Sequence, residues 1–421
     1  MCQHRHGQDD AAPQPPQPEA QPLRGEPFPW HLGVYDAHCH PTDTMASLAS
    51  LATARTRALA IMATRAQDQR LVAQAAAEHG IAAADGGRCR VVPAFGWHPW
   101  FSHQLYDDSA PDPTYSSPAG GEDAAREAKA SHYAAVLSPR PRDASFIASL
   151  PPPIPLSSLI ASTREYLASF PHALVGEVGL DKGFRLPRQR LPGDASPPDA
   201  GLTPGGRDGR LLSPYRVQMR HQQAVLRAQL RLAGEAGRAV SVHGVQAHGV
   251  LYDTVASCWK GHERRVLSRR ERRRIAPGAE ESSGEDEDED EDPEDGDRED
   301  KGAAGSAAAP RPFPPRICLH SYSGSADMLK QWLHPSVPSV VFVSFSAAVN
   351  LGTDGGRARL DGVVRAVPDD RILVESDLHA AGPEAEATLE HMYRLVCEIK
   401  GWPLEHGVRT VGDNFARFIR G

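Results

Sequence analysis

Two histidines one residue apart, His38 and His40 in Tyr35-Asp36-Ala37-His38-Cys39-His40-Pro41-Thr42-Asp43, follow a short apolar segment. On an extended backbone the side chains at i and i+2 leave the same face, so both imidazoles can converge on one metal ion. Four more residues of metal-binding type stand at or just past the ends of apolar runs: Glu177, His243, His320 and Asp377. Taken singly, each has an ordinary explanation. A lone histidine is commonly a hydrogen-bonded core residue, and a carboxylate after a strand commonly caps the next helix. Taken together, nitrogen and oxygen donors in this mixture suit two divalent ions, Zn2+, Mg2+ or Mn2+, sharing a bridging carboxylate and a water. The chemistry they imply is hydrolysis.

Donors so far apart in sequence need a scaffold whose strand ends meet. Short β-branched runs recur at Leu32–Asp36, Leu59–Ala63, Arg90–Gly96, Ala173–Gly179, Ala239–His243, Arg316–His320, Ser339–Phe345 and Arg371–Ser376. Between or after them lie helical patterns, at Met45–Arg57, Gln67–Gly80, Ser157–Phe170, Pro214–Gly237, Gly249–Lys260, Ala326–Leu333, Gly356–Val367, Glu384–Gly401 and Gly412–Ile419. Eight strands alternating with helices predict an α/β fold, a (β/α)8 TIM-type barrel, whose active face is the C-terminal rim of the strands. All six donors fall at that rim.

The 421 residues accommodate one large barrel, expected over 30–421 behind a Pro/Gln-rich disordered tail at 1–29. Three stretches break the alternation and read as disordered surface insertions, at about 102–150, 185–213 and 262–315. The last opens with an Arg-rich run from Arg264 to Arg274 and turns acidic. The chain carries 54 acidic and 46 basic residues, but 15 acidic residues and a single Arg lie within 280–300, so elsewhere basic residues outnumber acidic ones, 45 to 39. That balance permits a polyanionic substrate without demanding one. Six scattered cysteines, no signal-like N-terminus and no apolar stretch long enough to span a membrane point to a cytoplasmic or nuclear protein with reduced thiols.

The motifs resemble a known family. Asp36-Ala37-His38-Cys39-His40 resembles the opening element of TatD-type deoxyribonucleases, metal-dependent hydrolases of the amidohydrolase barrel superfamily. Gly96-Trp97-His98-Pro99 is similar to their Gly-x-His-Pro, Gly176-Glu177-Val178-Gly179-Leu180-Asp181 to Gly-Glu-Ile-Gly-Leu-Asp, and Glu375-Ser376-Asp377 to Glu-Thr-Asp. Asn414-Phe415 also matches. The resemblance runs from residue 32 to the end and omits the tail and the insertions. It implies that His38, His40 and Asp377 hold one ion and His243 and His320 the other, with Glu177 bridging. It also implies cleavage of DNA, of the 3′–5′ exonuclease type. The chain departs from the family pattern at Val245, where an Arg is usual, at Ser321-Tyr322-Ser323-Gly324, and at His379, where a Pro is common.

Asp377 is the expected general base, since a carboxylate touching metal and water can accept a proton, and Glu177 the bridging catalytic group. His98, Asp181, Lys182, Arg185 and His379 are candidate substrate contacts, and Trp97, Trp100 and Phe101 candidate stacking surfaces for an unpaired base. Two other functions compete with DNA cleavage. One is hydrolysis of a small amide, ester or lactone at the same centre. The other is a protein-interaction role, with a partner bound through the charged insertion.

Overall fold

A computed structural model describes residues 26–81, 90–189, 201–207, 209–267, 311–353 and 355–421. Eight strands, β1 (Tyr35–Cys39), β2 (Ala58–Met62), β3 (Arg90–Phe95), β4 (Leu174–Asp181), β5 (Val240–Val245), β6 (Arg316–Leu319), β7 (Val340–Phe345) and β8 (Ile372–Val374), lie side by side in chain order, all parallel. Beyond their formal ends β8 and β1 join through Asp377 N–H donating to the His38 carbonyl at 3.0 Å and His40 N–H donating to the Leu378 carbonyl at 2.8 Å. The sheet thereby closes into a TIM-type barrel.

Strand ends differ from the sequence reading by up to three residues. The first strand starts at Tyr35 rather than Leu32 because Gly33, at φ 93°, interrupts the extended run, so His38 lies inside β1. The stretch expected as a helix over Met45–Arg57 is a 3-10 helix, Met45–Ala52. Ser47 and Thr53 hydroxyls there donate to the Pro41 and Ser50 carbonyls, and such local bonds compete with regular helix.

Alternation along the strands sorts residues between two layers. Val240 and Val242 of β5, Ile317 and Leu319 of β6, and Val341 and Val343 of β7 pack outward under the helices. Ala239, Cys318, Phe342 and Leu373 belong to a second cluster inside the barrel. Two residues further along the inward face come Ser241, His320, Ser344 and Glu375, and two further again His243 and Asp377. The interior is therefore apolar below and polar above, which sets the height of the site. The C-terminal helix Leu404–Arg420 packs beneath the N-terminal strand ends, where Phe415 stacks on Tyr35 at 4.8 Å, Phe418 meets Phe342, and Asn414 Nδ2 donates to the Ile372 carbonyl.

The first insertion is ordered, contrary to the expected disorder. Helices Glu122–Val136 and Ala144–Ser149 fold around Tyr133, Val136, Leu137 and Phe146, joined by Leu186 and Val217. An average over polar residues hides this stripe at helical spacing. The described part of the second insertion crosses the barrel mouth: Thr203 N–H donates to the Asp43 carbonyl at 2.9 Å, and Arg65 donates to the carbonyls of Thr203 and Pro204 at 3.1 Å each. Most of the N-terminal tail, residues 190–200, and the run 268–310 with most of the Arg-rich and all of the acidic stretch lie outside the described residues. Among the described residues no helix is long and apolar enough to cross a membrane, and Cys39, Cys258, Cys318 and Cys397 form no disulfide.

Candidate metal centre

The six donors picked out by type and spacing converge on one point, and Glu177 divides them. Its Oε2 faces His40 Nε2 at 3.3 Å and His38 Nε2 at 3.4 Å, and Asp377 Oδ1 stands 3.6 and 3.9 Å from the same two nitrogens. Its Oε1 faces His243 Nδ1 and His320 Nε2, each at 2.8 Å, and His98 Nε2 at 3.1 Å. Within each set the ring nitrogens face one another, His38 Nε2 and His40 Nε2 at 3.1 Å, His243 Nδ1 and His320 Nε2 at 3.2 Å. Around one ion with bonds of about 2.0–2.2 Å, neighbouring donors stand roughly 3–3.5 Å apart. The spacing and the nitrogen and oxygen chemistry both fit a divalent cation in each set. Three buried groupings of this kind occur among the described residues: His38 with His40 and Glu177, His98 with Glu177 and His243, and His38 with His320 and Glu375.

Charge explains why the site can exist without collapsing. Burial opposes ionisation of Glu177, but the imidazoles of His98, His320 and His38 hold its carboxyl well below the usual range. Burial likewise opposes ionisation of Asp377, yet the hydrogen bond from His40 and the neighbouring histidines bring its pKa to about 2. The same carboxylates act in reverse on His40, where burial would lower the pKa but Asp377 and Glu177 raise it to about 9. The well is thus anionic and attracts cations, whether protons or metal.

Residues behind the donors aim them. Ser241 Oγ lies 2.8 Å from His38 Nδ1, leaving Nε2 toward the centre. Asp181 Oδ2 lies 3.2 Å from His243 Nε2 and accepts from Trp100 Nε1 at 2.6 Å, while its Oδ1 accepts from the amides of Gly183 and Phe184. Glu375 is buried, accepts from Ser321 N–H and from the Ser321 and Ser344 hydroxyls, and lies 3.6 Å from His320 Nδ1. Asp377 takes φ 54°, sparsely populated for a non-glycine residue and held here by the backbone bond to His38. Gly179, on β4 between Glu177 and Asp181, has to be glycine: a Cβ would stand 2.1 Å from the His243 carbonyl oxygen.

The candidate substrate contacts separate into distinct places. His98 is buried at the centre. Its Nδ1 accepts the Trp100 amide, so its Nε2 carries the proton toward Glu177, and burial lowers its pKa to about 4. Asp181 is also buried and committed to His243 and Trp100 rather than exposed to a substrate. Lys182 and Arg185 are exposed on the loop past β4. His379 sits at the rim, its Nδ1 2.8 Å from Asp43 and its ring 5.5 Å from that of His40. Trp97 and Phe101 are buried in packing, and only Trp100 of the three aromatics is part-exposed. The sequence reading missed Ser241 and Glu375 as aiming groups, although each stands two residues before a donor on the same strand face.

A barrel with a well of histidines and carboxylates at the C-terminal rim defines a metal-dependent hydrolase. The chain belongs to the TatD family: residues 35–420 match the family described as TatD related DNase. It is 35% identical to the Cut9-interacting protein scn1 of Schizosaccharomyces pombe, over 92% of this chain and 98% of that protein. It is 27% identical to an uncharacterized deoxyribonuclease of Saccharomyces cerevisiae, over 78% of this chain and 82% of that protein. Among solved structures it is similar to YjjV, a TatD homolog from Escherichia coli K12, with 15% identity and a TM-score of 0.47, covering 92% of this chain and 98% of that one. The chain is accordingly a TatD-type hydrolase acting on ester bonds, of a family that uses divalent metal.

Proposed function

We propose that this chain hydrolyses DNA phosphodiester bonds as a 3′–5′ exonuclease, with two divalent cations, Zn2+, Mg2+ or Mn2+, held in the two donor sets. The observation that carries this reading is Glu177, which turns one oxygen to His38 and His40 and the other to His243 and His320. Bound there, divalent ions lower the pKa of water and neutralise charge growing on a phosphoryl oxygen. Asp377, ionised across the neutral range, takes the proton from the attacking water. Glu177 keeps the two sets in register, and Ser241 and Asp181 keep the proton-free nitrogens of His38 and His243 turned inward. His98 donates its Nε2 proton to Glu177 and so fixes the carboxylate plane. Lys182, Arg185 and His379, on the rim, meet the substrate backbone.

The test is a nuclease assay on single-stranded and duplex oligonucleotides with Mg2+ or Mn2+. Cleavage that stops with EDTA, returns with metal and disappears in Asp377→Ala is the expected result, and equal cleavage by Asp377→Ala refutes the assignment. Release of mononucleotides from a 3′-labelled strand reports polarity.

A second activity is favoured by the name of its relative, the Cut9-interacting protein scn1, which describes binding to another protein. We propose that this chain also binds a protein partner, through the charged insertion, in the cytoplasm or nucleus. Deleting residues 268–310 then abolishes partner capture and leaves oligonucleotide cleavage intact.

A further inference from the structure

A cavity of about 590 Å3 opens beside the metal centre. Its walls come from the 3-10 helix Pro99–Gln104, the end of the first insertion at Ser149–Pro151, the segment Phe184–Gln189 after β4, and the stretch 202–207 that spans the mouth, with Arg210. One wall is aromatic: the rings of Trp100 and Phe184 stack at 4.3 Å and 8°. The indole nitrogen of Trp100 bonds to Asp181, and Asp181 to His243, so this wall stands one carboxylate away from the second donor set. Elsewhere the cavity presents the amides of Gln67 and Gln104 and the exposed guanidinium of Arg207.

The chemistry selects the ligand. A flat aromatic wall with amide donors and acceptors and a cation at its edge suits a planar heteroaromatic group carrying a phosphate, and the volume is in the range that holds a small ligand. Access is also narrow. Glu177, His243 and His320 are nearly buried, and the loop carrying Thr203 is pinned across the mouth to Thr42, Asp43 and Arg65. A duplex keeps its phosphates on a wide cylinder, whereas a single strand can thread such an opening.

Resting on the phosphodiesterase reading above, we propose that the cavity is a subsite for the unpaired nucleobase next to the scissile phosphate, stacked against the Trp100–Phe184 wall. The test compares 3′-terminal nucleotides that carry a base with abasic ones of the same backbone. Wild-type enzyme is expected to favour the base-bearing end by about 5- to 150-fold in kcat/KM, the range that one stacked base contributes. Phe184→Ala should collapse that ratio toward one and Phe184→Tyr should preserve it. A wild-type ratio near one overturns the proposal without any variant, and so does an unchanged ratio in a folded Phe184→Ala. If wild-type protein cleaves no oligonucleotide, the phosphodiesterase reading fails by itself. Fluorescence titration of the metal-stripped full chain with a single-stranded hexathymidylate, against its abasic counterpart, then decides the subsite. Weaker abasic binding supports it, and equal binding overturns it.

Discussion

Asp181→Asn tests the centre more sharply than removal of any donor, because it keeps the shape and changes one charge. In the native site Oδ1 accepts from Gly183 N–H at 2.7 Å and Phe184 N–H at 2.8 Å, while Oδ2 accepts from Trp100 Nε1–H at 2.6 Å and faces His243 Nε2 at 3.2 Å. Burial opposes ionisation of Asp181, but His243, Trp100 and the loop amides bring its pKa to about 2, so it is a carboxylate at any working pH. An asparagine whose oxygen stays on the two amides turns NH2 against Trp100 Nε1–H and His243. The imidazole then keeps its lone pair at Nε2 and moves its proton to Nδ1, the nitrogen 2.8 Å from Glu177. A protonated Nδ1 cannot bind a cation. A charge-assisted hydrogen bond contributes about 1.5–3 kcal/mol. At about 1.36 kcal/mol per tenfold that is roughly 13- to 160-fold, close to the 10- to 100-fold usual for groups that orient a ligating histidine. The assay is calorimetric titration of metal-stripped protein with Mn2+, alongside near-UV circular dichroism to check the fold. One binding step is expected to weaken by that factor and the step belonging to His38, His40 and Asp377 to remain. Two steps within twofold of wild type would refute the tautomer argument.

Three further outcomes follow from other parts of the molecule. Ser241→Ala leaves His38 Nδ1 without its partner in a buried site, so it should weaken the opposite binding step, that of His38 and His40, by about tenfold in the same titration. Arg65→Met strips a buried guanidinium from Asp43, Asp68 and the carbonyls of Thr203 and Pro204. It should cost about 3–5 kcal/mol, read as a fall in Tm, with faster hydrogen exchange at 201–207. The clasp of the first insertion should loosen in acid. Burial lowers the pKa of His103 to about 3 and of His132 to about 4, and lowers that of His221, while each ring bonds to a backbone carbonyl of the segment 100–103. Folded-state pKa values below the usual 6.5 mean that the unfolded segment binds more protons. Its stability is complete above about pH 6.5 and is lost as pH falls toward 4. Hydrogen-exchange protection over 99–150, corrected for the intrinsic pH dependence of amide exchange, should be lower at pH 5 than at pH 7.5, and equal protection would refute the account.

How much of this was legible beforehand follows from the physics of each element. Parallel strands buried on both faces read as unbroken apolar runs, which is why all eight were visible. The donors stood out jointly: any one has an ordinary explanation, but four imidazoles and two carboxylates recur at the same end of such runs. The role of Asp181 was not legible: it lies four residues past Glu177 on the same strand, and its partners come from elsewhere, Trp100 from the 3-10 helix Pro99–Gln104 and His243 from β5. The first insertion was misread because composition averages away a stripe made by Tyr133, Val136 and Phe146, whose burial depends on Leu186 and Val217 far along the chain.

By itself the sequence determined which residues can bind metal, that they sit at one end of a barrel, and that the chain resembles the TatD family. Those are properties of residue type and of period along one strand, and both are local. Only the tertiary structure decided that Glu177 faces the two histidine sets with separate oxygens, that Asp181 holds His243 instead of a substrate, and that Phe184 rather than Trp97 or Phe101 stacks with Trp100. Each of these depends on the distance between side chains from different strands or from the segments that follow them, which closure of the barrel sets and no spacing in the sequence encodes.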